Sequence, residues 1–319
     1  MEPAAPAEPP RAGLRPKLRL LAFRVLRASL LPALVREVIQ RRRVTLVLYH
    51  DPDIQILERH LAVLQRLYTI IPLRDLVDAL VGGHFDQLPS KSLVITLDDG
   101  HRANYALKPL LERRGIPVTI FLCSGIVGSH RRFWFKHVAD PDELKLLRDD
   151  ERLARLRALG FDEDEEVPER EALSRREIAE MSGRFVDFQS HSVSHPILPM
   201  CVEDKARDEI YRSRSELAHD HQLDVYAFAY PSGDYSDRDI KLAAAAGYTC
   251  AVTVDLGFNS SRTNPFQLKR IGIDDKDGID ELIVKVSGVW GLVRWVSRSQ
   301  RISGHVRAHG AEVRRTRSS

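Results

Sequence analysis

Apolar residues along this chain fall into short continuous runs that alternate with longer segments of helical spacing. The runs are rich in β-branched residues, which is typical of buried strands, and they lie at 44–49, 93–97, 118–123, 185–189, 226–230 and 250–254, with 267–271 as a further candidate. Helical patterns separate them at 57–67, 73–81, 105–114, 206–221 and 240–246. This alternation predicts an α/β fold with a parallel sheet and crossover helices. At 319 residues it is compatible with a barrel.

Residues 140–180 interrupt the alternation. Charged residues are dense there, and five leucines recur at helical spacing: Leu144, Leu147, Leu153, Leu156 and Leu159. We interpret this segment as a helical insertion over or beside a site, within a barrel domain that covers residues 44–285.

Charge divides the chain into a basic start, an acidic middle and a basic end. Residues 1–43 contain ten Arg or Lys against three Glu, a net +7, and residues 294–319 contain seven Arg against one Glu, a net +6. Because the whole chain carries +3, about −10 remains for the middle. Residues 1–10 are rich in Pro and Ala and are predicted to be disordered. Glu2 and Glu8 argue against a signal peptide, so we expect a cytoplasmic protein.

The first basic segment, residues 14–40, predicts an amphipathic helix that Pro32 would kink. One interpretation is an anchor that lies on an anionic membrane, with the inner face of the cell membrane as the candidate. The other is a terminal helix packed on the domain, and both stay open. Nucleic acid is a weaker candidate, because no aromatic residues lie between the basic ones. The tail 286–319, with Trp290 and Trp295, predicts a second amphipathic segment.

Candidate chemistry begins at Asp98 and Asp99, which follow the strand 93–97 directly. Burial and mutual repulsion both disfavour two adjacent charged carboxylates, and a cation usually offsets that cost. The alternative is a solvated turn in which Asp99 caps the next helix. The three cysteines are scattered and form neither a metal-binding spacing nor a disulfide framework.

A second polar cluster, His191 and His195, follows the strand 185–189. Their spacing places both imidazoles on one face of a helical turn, and parallel strands bring both clusters to one edge of the sheet. Two His and one Asp would leave positions open on a catalytic metal, for which Zn²⁺ is the first choice and non-haem Fe(II) the second. The spare carboxylate could take a proton from water, which indicates hydrolysis of an amide or ester.

The ordered motifs TLDDG at 96–100, HSVSH at 191–195 and FAYPSG at 228–233 resemble the polysaccharide deacetylase family, also called NodB homology or carbohydrate esterase 4. The opening LVLYHD at 46–51 resembles one branch of it. The resemblance covers about residues 44–275. It implies a distorted TIM-like (β/α) barrel of the NodB type, a divalent metal and removal of N-acetyl groups from amino sugars.

Carried over by position, the resemblance implies that Asp98 is the general base and that Asp99, His191 and His195 hold the metal. Pro231 and Gly233 would shape the wall of the groove. The chain departs from the family pattern at two places. Ala229 stands where the third motif often has an arginine that orients the base. No Leu-x-His follows near the C-terminus, so His50, or protonated Asp98, is the candidate proton donor.

Three rings, Trp134, Tyr230 and Tyr235, are candidates for stacking on sugar. The sequence therefore predicts a metal-dependent hydrolase that removes an N-acyl group from an amino sugar of a polysaccharide or lipid-linked glycan. One alternative is a catalytically impaired carbohydrate-binding member of the same fold. The other is an Fe(II) oxygenase, which would leave Asp98 without a role.

Overall fold

The computed structural model describes residues 16–274 and 276–291, and its strands form one parallel sheet. The strands are β1 (Thr45–Tyr49), β2 (Thr69–Ile70), β3 (Ser92–Leu97), β4 (Val118–Leu122), β5 (Val186–Ser190), β6 (Ala227–Ala229), β7 (Cys250–Val252) and β8 (Arg270–Gly272). Seven of them follow the order β7-β6-β5-β4-β3-β1-β8, and β2 pairs with the start of β3. The predicted α/β architecture is confirmed.

The sheet curls into a nearly closed barrel. β8 pairs with β1 at one edge, while Leu268, two residues before β8, bridges to Val252 of β7 at the other. The backbone N–H of Leu268 donates to Ala251, and the N–H of Thr253 donates to Leu268. These bonds leave few unpaired edge groups, which is the usual benefit of barrel closure. The fold is therefore the distorted TIM-like barrel that the sequence predicts.

Helices surround the barrel and continue at both ends of the described chain. They are α1 (Pro16–Ala28), α2 (Leu31–Val38), α3 (Ile54–Leu67), α4 (Leu73–Val81), α5 (Lys108–Arg114), α6 (Pro141–Leu144), α7 (Asp149–Ala158), α8 (Arg175–Met181), α9 (Glu203–Asp220), α10 (Asp237–Ala245) and α11 (Ile279–Val286). Local signals fix several ends. Ser174 and Ser236 begin α8 and α10 with capping boxes, and α5 stops at Gly115, whose φ is +63°.

Side chains alternate between the two faces of the strands. Val47 and Ile95 pack in the large core beneath the outer helices, whereas Leu46 and Val94 belong to a second cluster that includes Phe121. Thr96 and Asp98 continue the second alternation on β3. The inside of the barrel is thus apolar over most of its length and becomes charged at the carboxyl ends of the strands.

The terminal and inserted segments differ in detail from the expected ones. The segment 14–40 forms two helices, because Pro32 is accommodated in the first turn of α2 after a break at Ser29 and Leu30. The insertion contains α6, α7 and α8 between β4 and β5. The predicted disordered start and the C-terminal segment with Trp295 lie outside the described residues. Within them, no helix has the length and apolar character needed to cross a bilayer.

Candidate active site

A cleft of about 530 Å³ opens where the carboxyl ends of five barrel strands meet. Its lining comes from residues at or just after β1, β3, β5, β6 and β7, together with the insertion: Leu48, His50, Asp98, Asp99, His101, Phe135, Pro141, Asp142, Lys145, His191, His195, Ser232, Gly233 and Val254. This edge is where (β/α) barrels place their catalytic groups. Both polar clusters singled out in the sequence open into the one cleft.

Asp99, His191 and His195 converge at the base of the cleft. Asp99 Oδ1 lies 3.5 Å from Nε2 of His191 and 3.5 Å from Nε2 of His195. All three side chains are buried, and one ligand atom from each lies within 4.8 Å of the others. The two clusters are more than ninety residues apart in the chain, so only the barrel brings them together.

The donor set fits a divalent cation. Asp99 Oδ1 is buried and makes no hydrogen bond in the structure, although it faces two imidazole nitrogens. Two ligand atoms that each lie about 2.0–2.2 Å from a tetrahedral Zn²⁺ are about 3.3–3.6 Å apart, which matches both measured distances. Burial lowers the pKa of His195 to about 3, so its imidazole is neutral, as a metal ligand requires.

Neighbouring groups hold each of these side chains in one orientation. His191 Nδ1 contacts the carbonyl oxygen of Ala229 at 2.8 Å, which directs Nε2 toward Asp99. His101 Nε2 lies 3.0 Å from Asp99 Oδ2 and leaves Oδ1 facing the two other imidazoles. Burial would raise the pKa of Asp99, but His101 and the neighbouring imidazoles hold it well below its usual range. Such outer contacts are a regular feature of metal sites in proteins.

The loop that carries the two histidines is not the helical turn that their spacing predicts. Ser192 and His195 have φ values of +69° and +59°, in the left-handed region. The buried carboxylate of Glu209 on α9 accepts hydrogen bonds from the backbone N–H of Val193 at 2.8 Å and of Ser194 at 2.9 Å. The His195 N–H in turn donates to Ser192 Oγ. These side-chain acceptors replace the backbone hydrogen bonds of a helical turn. They hold the loop in a conformation in which both imidazoles point toward Asp99.

Backbone strain also marks the acidic cluster. Asp99 has a φ of +75°, which is uncommon for a residue with a side chain. Gly100 follows with a φ of +73°, and a Cβ there would lie 2.5 Å from Cδ2 of Leu122. Strain of this kind persists where the surrounding structure over-determines it, often at functional sites. The glycine of TLDDG is therefore required by the turn that aims Asp99.

The model of the polysaccharide deacetylase family matches residues 86–251, which is more than half of the chain and contains both clusters. The chain belongs to the polysaccharide deacetylase family. The curated relative YxkH of Bacillus subtilis (strain 168) is 23% identical over 190 residues, which are 59% of this chain and 54% of YxkH. The chain thus spans about half of the length of that relative.

Solved structures of deacetylases share the fold. The Streptococcus pyogenes deacetylase PplD has a TM-score of 0.58 at 19% identity, over 76% of this chain and 98% of PplD. IcaB from Ammonifex degensii has a TM-score of 0.58 at 18% identity, over 77% of this chain and 97% of IcaB. A polysaccharide deacetylase from Bacillus cereus has a TM-score of 0.56 at 18% identity, over 76% of this chain and 69% of that one. At these identities the likeness concerns the fold.

In this member of the polysaccharide deacetylase family, Ala229 stands where the third motif often has an arginine. An arginine nevertheless reaches Asp98 from β8. Arg270 Nη1 donates to Asp98 Oδ1 at 2.7 Å, and Nη2 donates to Oδ2 at 2.8 Å. The guanidinium is fully buried and also donates from Nε to the Thr253 carbonyl. Burial would raise the pKa of Asp98, but Arg270 outweighs it and holds that pKa below its usual value.

Sequence reasoning missed Arg270. It lies in the segment 267–271 that the pattern predicts as a strand, where an arginine is out of place unless it has a buried partner. A charged residue in a predicted buried strand was therefore the feature of the sequence that could have identified Arg270. Its partner, 172 residues away in the sequence, could not be read from the pattern.

His50, the candidate proton donor, lies on the rim of the cleft. It is exposed, and its backbone carbonyl accepts a hydrogen bond from Asn104 Nδ2 at 3.1 Å. Of the histidines that line the cleft, it alone belongs neither to the triad nor to the contacts of Asp99. Its position leaves the imidazole free to meet a substrate.

The residues predicted to bind sugar divide into two groups. Gly233 lines the cleft, and a Cβ there would lie 2.1 Å from Val254, while Pro231 is buried beneath it. Trp134 and Tyr230 are buried, with 3% and 0% of their surface exposed, so neither ring offers a face to a sugar. Trp134 Nε1 instead donates to the His195 carbonyl at 2.8 Å and supports the loop that carries His191 and His195.

Tyr235 is half-buried and stacks on Tyr230, with ring centroids 4.9 Å apart, while its hydroxyl donates to Asp255 at 2.7 Å. It does not belong to the cleft lining. The insertion does, through Pro141, Asp142 and Lys145, and Lys145 Nζ lies 2.8 Å from Asp142 Oδ1. The sequence pattern predicted that the insertion lies over or beside the site, but it did not identify these three residues. One wall of the cleft is thus built by a segment outside the three motifs.

Proposed function

We propose that this protein is a metal-dependent hydrolase that removes an N-acetyl or other N-acyl group from an amino sugar of a polysaccharide or lipid-linked glycan. The supporting observation is that two adjacent carboxylates have different bonding partners. Asp99 keeps one oxygen unpaired beside two imidazoles, whereas both oxygens of Asp98 are bonded to Arg270. Asp99 thus has an oxygen available to a metal, whereas Arg270 holds Asp98 ionised, which is the state in which a carboxylate can accept a proton.

Asp99, His191 and His195 would hold the metal, with Zn²⁺ as the first choice. When bound, a divalent metal polarises a carbonyl and lowers the pKa of water toward about 7. Asp98 lies within 3.8 Å of His191 Nε2 and opens into the same cleft, so it is placed to accept the proton of the attacking water. Arg270 keeps Asp98 ionised and fixes its orientation. Gly233 and Val254 leave room for the substrate along one wall.

The leaving amine must gain a proton, and we propose His50 as its donor. His50→Gln should lower kcat by about 10²-fold while KM and metal affinity stay within about twofold, because the ring touches neither the triad nor the core. His84→Gln, a histidine outside the cleft lining, is the control. An unchanged kcat in His50→Gln would assign the proton to another group, such as protonated Asp98.

The activity itself is tested by acetate release from an N-acetylglucosamine oligomer. The full-length protein is first stripped with a chelator and then titrated with Zn²⁺. We expect release that rises with metal occupancy and disappears on chelation. Metal and sugar binding without acetate would select the alternative, a catalytically impaired carbohydrate-binding member. The Arg270–Asp98 pair removes one of the two grounds for that alternative, because Ala229 no longer leaves the base unsupported.

The basic residues of both chain ends support peripheral contact with an anionic membrane, and we propose this contact as well. A cytoplasmic location remains a prediction. Cell fractionation with a salt wash tests both, because a peripheral protein is released from membranes by salt while an integral one is not.

A further inference from the structure

The helical hairpin formed by α1 and α2 docks on the barrel partly through ion pairs of its arginines. Arg19 pairs with Glu281, and its Nη2 lies 3.6 Å from Asp277. Arg27 pairs with Asp280, and Arg24 Nε lies 3.7 Å from the same residue. A surface helix of a globular protein usually buries its apolar face instead. Here the acidic start of α11 and the loop before it bind the arginines of α1, and among the α1 side chains that the structure describes only Phe23 is fully buried.

Most apolar residues of the hairpin point away from the protein. Nine of them are 40–72% exposed: Leu18, Leu20, Leu21, Val25, Leu30, Leu31, Leu34, Val38 and Ile39. The most exposed is Leu30 at the tip, where a φ of +61° holds a bulky residue in the left-handed region. Half of the large exposed hydrophobic residues in the described part of the chain lie on this short segment. A patch of this kind usually marks an interaction surface.

The hairpin is nevertheless fixed to the barrel. Phe23 and Val35 are buried against Val284, Val289 and Trp290, and the rings of Phe23 and Trp290 lie 4.8 Å apart. Directly after α2, Gln40 Nε2 donates to Thr45 Oγ1 and to the Val286 carbonyl. The exposed residues thus belong to an ordered surface rather than to a free arm.

Positive charge borders the apolar residues. Arg41, Arg42 and Arg43 follow α2 and are all exposed, and they line a cavity beside Ser90 and Ser261. Residues 292–319 add seven Arg against one Glu. In an isologous dimer this face would meet itself and bring two such arginine groups together, which is unfavourable. Leucines bordered by arginines match instead the acyl chains and headgroups of an anionic bilayer.

We propose that α1, α2 and Arg41–Arg43, here called the hairpin face, dock on anionic phospholipid without spanning the bilayer. The proposal rests on the peripheral contact proposed above and names the surface that makes it, but it does not depend on the deacetylase activity. No residue that lines the cleft belongs to the hairpin face. Arg43 and His50 flank β1 at opposite ends, and five strand residues span about 16 Å, so a docked protein keeps its cleft open.

Co-sedimentation with vesicles tests the proposal on the full-length protein. Vesicles of phosphatidylcholine alone are compared with vesicles that also contain the anionic lipid phosphatidylglycerol at about 30 mol%. The apolar variant is Leu21→Gln with Leu34→Gln, and its control is Val81→Gln with Leu159→Gln, which changes two equally exposed residues elsewhere. The charge variant is Arg41→Gln with Arg42→Gln, and its control is Arg155→Gln with Arg157→Gln on α7.

We expect the wild-type protein to bind the anionic vesicles at least tenfold more tightly than the neutral ones. Both hairpin variants should lose about tenfold in affinity, and both controls should stay within twofold. Thermal melting and acetate release should be unchanged in the hairpin variants, so a loss of binding is separate from a loss of fold or of activity. Wild-type binding in both hairpin variants would overturn the proposal.

Two further outcomes would also overturn it. A wild-type dimer that Leu21→Gln with Leu34→Gln converts to a monomer, without vesicle binding, would identify a second copy as the occupant. Vesicle binding that appears only after residues 292–319 are removed would show that the chain's own tail covers this face.

Discussion

Asp98 and Asp99 are neighbours in the sequence and opposites in the structure. Asp98 lines the cleft, but the permanent cation of Arg270 bonds both of its oxygens. Asp99 points into the cleft, where its oxygens face three imidazoles and Oδ1 keeps no hydrogen bond. The same residue type is charged in both places, but the fold supplies the countercharge in only one. The metal proposed above is therefore expected to bind Asp99 rather than Asp98.

The largest effect should follow from Asp99→Asn. If one of three ligands carries about a third of a metal-binding free energy of about 10–16 kcal/mol, affinity falls by about 10²–10⁴-fold. Isothermal titration with Zn²⁺ measures it, and acetate release should fall with it. Asp142→Asn, an exposed acid on the cleft wall, is the control. Tight metal binding by Asp99→Asn would mean that Asp99 is not the carboxylate that binds the metal.

Asp98→Asn should separate the two roles. Acetate release from the metal-loaded protein should fall by about 10²–10⁴-fold, because the amide cannot accept the proton of the attacking water. Metal affinity in the same titration should stay within about threefold. A parallel loss of metal affinity and rate would indicate that both carboxylates bind the metal.

Arg270→Met should destabilise the protein by about 3–5 kcal/mol, because it leaves the buried Asp98 without its countercharge. Urea denaturation measures the change in unfolding free energy. The double variant Arg270→Met with Asp98→Asn should recover part of that loss, since no buried charge remains. Additive losses in the double variant would argue that Arg270 acts through packing rather than through its pair with Asp98.

The smallest effect is expected for Glu209→Gln, which should change only the proposed metal site around Asp99 and leave Asp98 unaffected. Its carboxylate accepts bonds from Val193, Ser194 N–H and Ser194 Oγ, and an amide can satisfy fewer of these donors. Metal affinity should fall about tenfold as the His191–His195 loop loosens. Glu203→Gln, an exposed acid on the same helix, is the control. An unchanged Zn²⁺ affinity would limit Glu209 to a role in folding.

Local patterns determined the parts of this protein that depend on short stretches of chain. Strand runs and helical spacing predicted the barrel, because burial imposes its period on neighbouring residues. The motifs TLDDG and HSVSH predicted the family and which side chains share the edge of the sheet. Turn chemistry is equally local: the glycine after Asp99 follows from one backbone angle.

The tertiary structure alone decided which partner each polar group receives. Arg270 reaches Asp98 because β8 closes the barrel beside β1, a register that no local pattern encodes. Trp134 packs in a cluster that includes Ile197, and the Tyr230 hydroxyl donates to the Phe266 carbonyl. Because these partners are distant in the sequence, the burial of both rings could not be judged from the turns around them. The hairpin follows the same rule. Its amphipathic spacing was evident in the sequence, but the acidic residues of α11 determined that its leucines face outward.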